Sequence, residues 1–267
     1  MDVLRLFLHY SSITIKSRFQ YKIDAFFRSL AVFLRESAGI IIIYFMLLKF
    51  DDINGWNINE LLFLFSFLFF TYGLLILFFT GFRDFEKMVN RGDLDRFLLR
   101  PRGLVFQIIA SNADWFATIG HGCLGLLLFT YSATQINIDW NAALIAYCVV
   151  AIISGVLIQG ALFLFIASLS FTLIRVTNIR NILYWNTRKF AGYPLSIFHG
   201  SLQFFLTYIV PFAFVNYFPA QFILRKEDLS DFPIIYIYIA PCVGFVLYAL
   251  SYCYWRYSLR FYKSTGN

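Results

Sequence analysis

The sequence predicts an all-α polytopic membrane protein with six transmembrane helices. Of the 267 residues, 60% are apolar and only 14% are charged, whereas roughly 25% are charged in an ordinary soluble domain. A soluble globule of this composition would expose large apolar patches, so the surplus is expected to face lipid. Six apolar stretches are each long enough to cross about 30 Å of hydrocarbon, and the basic residues are concentrated in alternate connections, on one side of the membrane. No room remains for a large soluble catalytic domain.

The six predicted spans follow one another through short connections. They run over residues 29–49, 61–80, 114–134, 141–172, 197–218 and 233–255. The first contains Arg35 and Glu36, each of which costs about 3 kcal/mol at the bilayer centre, so we expect the pair to lie in the cytoplasmic third. As a straight helix the fourth would be about 48 Å long. It is therefore expected to tilt, protrude or kink near Gly155 and Gly160.

The distribution of lysine and arginine predicts the orientation. Eighteen of the 22 basic residues lie before the first span, in the second and fourth connections, and in the tail 256–267. Only Lys49, Arg225 and Lys226 fall on the opposite side. By the positive-inside rule both termini are cytoplasmic, which agrees with an even number of spans. The net charge of +7 is thus explained by topology, and no nucleic acid partner is expected.

Residues 1–28 predict an amphipathic interfacial helix. One face carries apolar side chains and the opposite face carries polar ones. The apolar face comprises Leu4, Phe7, Leu8, Ile15 and Phe19, and the polar face comprises Arg5, His9, Ser12, Lys16 and Gln20. Such a helix lies in the membrane surface. It is either a simple anchor or an elbow that bends into the first span, and the sequence leaves both open.

The second connection, residues 81–103, is the densest polar segment of the chain. Apolar residues at helical spacing within its mixed charge predict two short helices. Gly92 is expected to end the first, Asp93 to cap the second and Pro101 to stop it. A charged helix with an apolar stripe is suited to docking on a soluble partner, and the alternative is an ordinary solvated turn.

The segment 210–232 begins as an apolar stretch but contains Pro211 and Pro219. Proline lacks the backbone donor and clashes with the preceding turn. We expect a broken or re-entrant helix in the outer leaflet, which is permitted only where protein or a water-lined cavity satisfies the backbone. A simple proline kink is the alternative.

Signatures of catalysis are absent from the sequence. It contains no metalloprotease, hydrolase or phosphate-loop motif, and the four cysteines show no Cys-x-x-Cys spacing, so we expect no catalytic residue and no metal site. The chain has no usual phosphate loop of its own for ATP. We interpret His121 as a packing or hydrogen-bonded histidine rather than a ligand. Gln159, deep in the fourth span, is interpreted as an interhelical hydrogen-bonding residue rather than a substrate contact.

Two stretches resemble signature segments of bacterial ABC-2 type permeases. They are 92–103 (GDLDRFLLRPRG) and 210–220 (VPFAFVNYFPA). The likeness extends over essentially the whole chain, including the order of six spans and the basic amphipathic start. The chain is most similar to the branch of six-span bacterial ABC transporter permease components.

This resemblance implies a permease domain over 29–255 in the bacterial cytoplasmic membrane. Two permease chains, identical or paralogous, would face each other, each on a separate ATP-binding subunit that holds ATP and Mg²⁺. The connection after the second span would be the coupling helix. Its expected coupling residues are Glu86, Arg91, Asp93, Asp95 and Arg96. The outer segment would cap a substrate path, for which the candidates are His121, Gln159, Pro211, Asn216 and Pro219.

Three functions remain open at this stage. The leading hypothesis is a permease subunit of an ATP-driven exporter of a hydrophobic or amphipathic substrate, with no cofactor of its own. A membrane-embedded transferase or lipid-modifying enzyme would need clustered polar residues, for which Asn112, Asp114 and His199 are the poor candidates. A channel or scaffold subunit is the third. Substrate identity, homodimer or heterodimer, and the role of Arg35 and Glu36 are not predicted.

Overall fold

The computed structural model describes residues 3–19, 22–47, 52–226 and 232–264. Within these ranges the chain is helical, apart from connecting turns and one isolated bridge between Ile53 and Trp56. Four helices there are long and apolar enough to cross a membrane. A fifth candidate span is a pair of helical segments, Gly200–Ile209 and Phe212–Leu224, bent by 72° at its break.

Twelve α-helices are described. In chain order they are α1 (Val3–Phe19), α2 (Lys22–Leu47), α3 (Ile58–Arg83), α4 (Phe85–Asn90), α5 (Asp93–Leu98), α6 (Leu104–Ser111), α7 (Trp115–Ile136), α8 (Ala142–Leu169), α9 (Thr177–Arg180), α10 (Gly200–Phe204), α11 (Tyr217–Leu224) and α12 (Ile235–Ser258). Wider π-helical turns follow α9 and α10, and short 3₁₀ turns occupy Leu195–Ile197, Phe212–Phe214 and Leu259–Phe261.

Helix α3 is the centre of the molecule. It is apolar on all sides and buried along most of its length, as expected for a core helix. It packs on α7 and α8, while α2 packs on α7 and α12 on α8. Its start is fixed by a capping box, in which the side chain of Asn57 accepts from the Glu60 amide at 3.0 Å and the Glu60 carboxylate accepts from the Asn57 amide at 2.9 Å.

Small residues allow the helices to approach closely. A Cβ at Gly125 of α7 would lie 2.5 Å from the backbone nitrogen of Phe70 in α3, and a Cβ at Gly244 of α12 would lie 2.2 Å from the Ser154 carbonyl in α8. Neither position has room for a side chain. These contacts are of the small-residue type that lets transmembrane helices pack backbone to backbone.

Pro241 interrupts the hydrogen bonding of α12, and α8 compensates. Because proline has no N–H, the carbonyl of Ile237 one turn earlier loses its helical donor. The Tyr147 hydroxyl of α8 donates to that carbonyl. The Ser154 hydroxyl, also of α8, donates to the carbonyl of Ala240 at 2.9 Å. Helix α12 therefore completes its backbone bonding with side chains of its neighbour.

The second, third, fourth and sixth predicted spans match helices that are long and apolar enough to cross a membrane, whereas the first falls on α2, which is not among those helices in the described residues. The predicted fifth span, 197–218, is wrong as a single helix, because the chain breaks after Ile209 and turns at Val210 and Pro211, as expected for a broken helix within 210–232. Pro211 cannot donate to the preceding turn, so the helix stops there. Pro219 lies in the first turn of α11, where no intrahelical donor is lost.

Two further boundaries differ from expectation. The predicted interfacial helix, 1–28, covers α1, described over Val3–Phe19, and the first residues of α2, described from Lys22. A helix can extend beyond the apolar stretch that crosses the membrane, so a prediction from hydropathy alone places the start of α2 too late.

Helix α8 is one uninterrupted helix of 28 residues. Gly160 accommodates the ring of Phe79, 2.5 Å from where a Cβ would lie.

Candidate functional site

The connection after α3 forms the two short helices that its sequence predicts, α4 and α5. Gly92 adopts the left-handed conformation, with φ of 72°, and separates them. The expected cap of α5 is wrong in detail: Gly92 is the N-cap, and no side chain caps the helix. Asp93 is instead the first helical residue, where a carboxylate interacts favourably with the helix dipole. It also forms an ion pair with Arg96. Helix α5 ends at Leu98, before Pro101.

An aromatic cluster anchors α4 to the end of α12. Phe85, fully buried in α4, contacts the ring of Trp255 edge-on with centroids 4.9 Å apart. Phe82 and Phe171 pack on the same indole at 5.4 and 5.1 Å. Edge-to-face aromatic pairs of this kind add to the energy of burial. The cluster therefore ties the connection to the last residues of α3 and α12 and to the turn after α8.

Glu86 links α4 to the chain that follows α8. Its carboxylate accepts from the backbone amide of Val176 at 3.2 Å and from the hydroxyl of Thr177 at 2.8 Å. These two residues begin α9, so Glu86 satisfies donors at a helix start from another element. Asn90 adds a bond to the Ile174 carbonyl at 3.2 Å.

Asp95 links α5 to the tail. Its two carboxylate oxygens accept from the Tyr262 hydroxyl at 2.9 Å and from the Ser264 hydroxyl at 2.6 Å. Burial, together with the bond to this carboxylate, raises the pKa of Tyr262 to about 12. The hydroxyl therefore stays protonated and keeps donating to Asp95 throughout the physiological pH range.

The five predicted coupling residues thus fall into two groups. Glu86 and Asp95 bind other parts of this chain, whereas Arg91 and Arg96 are exposed. Asp93 is half-buried beside Arg96. Leu99, just past α5, is 86% exposed. The exposed face of α5 and the turn after it therefore presents a leucine beside arginines.

The predicted path residues do not line one common cavity in the described part of the chain. Gln159 is fully buried, donates to the Thr71 hydroxyl at 3.0 Å and accepts from the Tyr184 hydroxyl at 2.7 Å. This is the interhelical hydrogen bonding expected from its position. Its partner Tyr184 lies in the π-helical turn Asn181–Asn186, after α9.

His121 is buried in α7. Its Nδ1 lies 3.0 Å from the Ala117 carbonyl, its ring meets Tyr72 edge-on at 4.7 Å, and its Nε2 lies 3.5 Å from the Glu36 carboxylate. Since a carbonyl oxygen only accepts, Nδ1 is the donor of this hydrogen bond. The pair Arg35 and Glu36, left without a role by the sequence, is therefore directed towards α7.

Asn216 and the two prolines belong to the buried outer segment. Asn216 is 1% exposed, and its amide nitrogen donates to the carbonyls of Leu64, at 3.4 Å, and of Ala191. Pro211 borders a cavity of about 430 Å³ between α8, α12 and the bend. Residues 210–223 are almost entirely buried, so protein surrounds this irregular backbone, as it must within a membrane.

Two residues that complete the attachments of α4 and α5 were not predicted from the sequence. Trp255 was counted only as the end of a span, although tryptophan at a span end is a typical interfacial residue. Tyr262 was assigned to the tail without a partner. No sequence pattern connects it to Asp95, 167 positions away.

Comparison with known proteins agrees with this geometry. The family model described as ABC-2 family transporter protein matches residues 33–266, which include α4, α5 and the bent outer segment. No curated protein and no solved structure matches the chain. Members of this family are membrane transport subunits that associate with an ATP-binding subunit. The chain is therefore a multi-pass membrane protein that belongs to the ABC-2 family of transporter permeases.

Proposed function

We propose that this chain is the permease subunit of an ATP-driven exporter in the bacterial cytoplasmic membrane. It pairs with a second permease chain and with separate ATP-binding subunits that hold ATP and Mg²⁺, and it moves a hydrophobic or amphipathic substrate. The observation that carries the proposal is the double attachment of α4 and α5 to α9 and to the tail, within a chain of the ABC-2 family.

The proposed topology has six spans with both termini cytoplasmic. Helix α2, at 26 residues, is about 39 Å long and serves as the first span. Helices α3, α7, α8 and α12 supply four more, and the bent pair supplies the fifth in order. The basic residues of α4 and α5 then face the cytoplasm, where the ATP-binding subunit is found.

Coupling would proceed through the surface formed by α4 and α5. Closure of the nucleotide-bound subunits pushes on α5, and the bonds of Glu86 and Asp95 pass the displacement to the segments after α8 and α12. The two arrangements of the permease then exchange populations, and ATP binding favours one of them.

The test is reconstitution with and without the ATP-binding subunit. Affinity purification from native membranes should recover that subunit, and proteoliposomes holding the complex should move substrate only with ATP and Mg²⁺. A transferase or lipid-modifying enzyme would turn over as the lone chain, and a channel would conduct without nucleotide. Either result from the lone chain refutes the proposal.

A further inference from the structure

A second cavity, of about 470 Å³, lies between α2, α3, α7 and the chain that follows the π-helical turn Asn181–Asn186. The proposed coupling scheme does not use it. Its lining is unusually rich in charge for a site between transmembrane helices. The charged lining residues are Arg35, Glu36, Arg83, Asp114, Arg188 and Lys189.

The cations of this cavity exceed its carboxylates. Arg35 binds Glu36, its nitrogens lying 3.1 and 2.7 Å from one carboxylate oxygen, and Arg83 binds the neighbouring Asp84 at 2.9 and 2.7 Å. Among the described residues, neither Arg188 nor Lys189 forms an ion pair with a carboxylate. The lining therefore carries four cations, Arg35, Arg83, Arg188 and Lys189, against two carboxylates, Glu36 and Asp114.

Arg188 is the more enclosed of the two. Its guanidinium lies over the ring of Tyr72, 4.1 Å from the centroid, which lowers the cost of its charge. Its Nε and Nη2 atoms are buried, and no acceptor in the described part of the chain reaches them. Buried donors without acceptors are costly and rare. The side chain is thus positioned to bind an acceptor that the described residues do not supply.

The cavity lies at the predicted cytoplasmic interface. Arg83 is the last residue of α3, Asp114 is the N-cap of α7, and Arg188 belongs to the cytoplasmic fourth connection. The side chain of Arg35 is 68% exposed at the rim. Basic pockets between transmembrane helices on this side favour phosphate headgroups, and arginine matches the oxygens of a phosphate.

From these observations we infer that the cavity is a binding site for the phosphate group of an anionic amphiphile. Arg188 and Lys189 bind the phosphate oxygens, and Trp185 and Tyr72 form the aromatic wall. A phospholipid headgroup and free phosphate present the same chemistry. The site goes beyond the proposed transport function, because binding requires neither nucleotide nor a partner subunit.

The primary test is native mass spectrometry of the purified full chain after delipidation. Phosphatidylglycerol or phosphatidylcholine is titrated into the detergent solution, and the bound lipid is counted. We expect one tight phosphatidylglycerol site that phosphatidylcholine does not fill, weakened about tenfold by Arg188→Gln, as for the loss of a hydrogen bond to a charged group. Arg256→Gln, at an exposed position of α12, removes the same charge. Equal weakening by both substitutions would mean general surface attraction and would overturn the proposal.

A second variant keeps the test decisive if Arg188→Gln does not fold. Lys189 is exposed, so Lys189→Gln should unfold at the wild-type temperature and still bind phosphatidylglycerol several-fold more weakly. Wild-type affinity in this variant would refute the site. Inorganic phosphate identifies the source: displacement of the lipid at millimolar concentration indicates that the phosphate alone is recognised, and retention of the lipid indicates that the acyl chains are also required.

Because the readout is binding by the lone chain, it is independent of transport. Loss of the phosphatidylglycerol site with intact ATP-driven transport would refute this inference alone. Absence of an ATP-binding partner with an intact lipid site would refute the proposed function alone.

Discussion

Gln159 illustrates how single polar residues stabilise this protein. Its amide joins α3, through Thr71, to the turn that carries Tyr184. All three side chains are buried, so bulk solvent does not reach them to replace a lost partner. Removing the amide would leave the Tyr184 hydroxyl without its acceptor.

We expect Gln159→Leu to lower the free energy of unfolding by about 1 to 3 kcal/mol, the usual cost of an unsatisfied buried polar group. Thermal unfolding of the purified chain in detergent measures the loss. Gln135→Leu, at an exposed position near the end of α7, is the matched control and should leave the unfolding temperature unchanged. Equal unfolding temperatures for the two variants would show that the network contributes no stability.

For a single residue, the sequence predicts that a hydrogen bond forms more readily than it predicts which residue is the partner. A lone amide deep in a span must find a hydrogen bond, so the role of Gln159 is predictable from hydropathy alone. Thr71 lies 88 positions away, however, and only the packing of α3 on α8 brings it near. Arg188 is a stronger example, because sequence counts it among the cytoplasmic basic residues and shows nothing of its place over Tyr72.

Among the elements, α4 and α5 differ from an ordinary loop by their attachments. Glu86 binds the start of α9, and Asp95 binds the tail through Tyr262. Each attachment crosses to a segment that directly follows a long helix. The two short helices are therefore joined to the rest of the permease at three places, counting the aromatic cluster around Trp255.

Substitution of Glu86 tests the attachment to α9. In the complex with the ATP-binding subunit, we expect Glu86→Ala to reduce substrate moved per ATP hydrolysed several-fold, because a charged hydrogen-bonding group between the segments is lost. Lys87→Ala removes a neighbouring exposed side chain and should preserve the ratio. The ratio is measured in proteoliposomes. A wild-type ratio in Glu86→Ala would show that the α9 bond has no part in coupling.

Substitution of Tyr262 tests the attachment to the tail. The phenol is neutral in the bond to Asp95, and its pKa is raised to about 12 from an ordinary value near 10. A raised pKa means that this contact stabilises the folded state fully below about pH 10, and that the stabilisation is lost as the pH rises towards 12.

We therefore expect the tail to be equally protected at pH 6 and pH 9, and to be released by Tyr262→Phe at either pH. Hydrogen exchange of the tail amides, corrected for the intrinsic rate, measures this protection. Tyr257→Phe alters an exposed tyrosine of α12 and should have no effect. Faster corrected exchange of the wild type at pH 9 than at pH 6 would contradict the expectation.

Most of the long helices could be predicted from the sequence, and the fifth predicted span is the exception. Five predicted spans correspond to single helices within a few residues, with α2 beginning seven residues before its predicted span, because a continuous apolar run of about 20 residues is a strong signal. The fifth differs because its apolar run continues through Pro211 without a change in hydropathy, so hydropathy places the end of the span too far along the chain. The break itself was predictable from Pro211, since the backbone lacks a donor there.

At the scale of the whole molecule, the proposed topology places the two ends of α7 on opposite sides of the membrane. Leu99, in the connection before it, is 86% exposed, and Asp139, in the connection after it, is also exposed. The structure describes four native cysteines without a disulfide, which are Cys123, Cys148, Cys242 and Cys253.

In a background where these four are replaced by alanine, we expect Leu99→Cys to react with a membrane-impermeant maleimide only from the cytoplasmic face. Asp139→Cys should react only from the outer face. Labelling of inside-out and right-side-out vesicles measures both. Reaction of the two positions from the same side would refute the six-span arrangement, and reversed sides would refute the orientation.

The hydrogen bonds that Tyr147 and Ser154 of α8 donate to α12 limit how these two helices can move relative to each other. Sliding α12 away from α8 would strand the carbonyl of Ile237, which has no helical donor because of Pro241, in hydrocarbon, where an unsatisfied group costs several kcal/mol. It would also break the hydrogen bonds that join the Ser154 hydroxyl to Ala240 and Gly244. The pair is therefore expected to behave as one rigid body. Any opening that admits cargo must be hinged elsewhere, against α2 and α7 or at the bend beside Pro211.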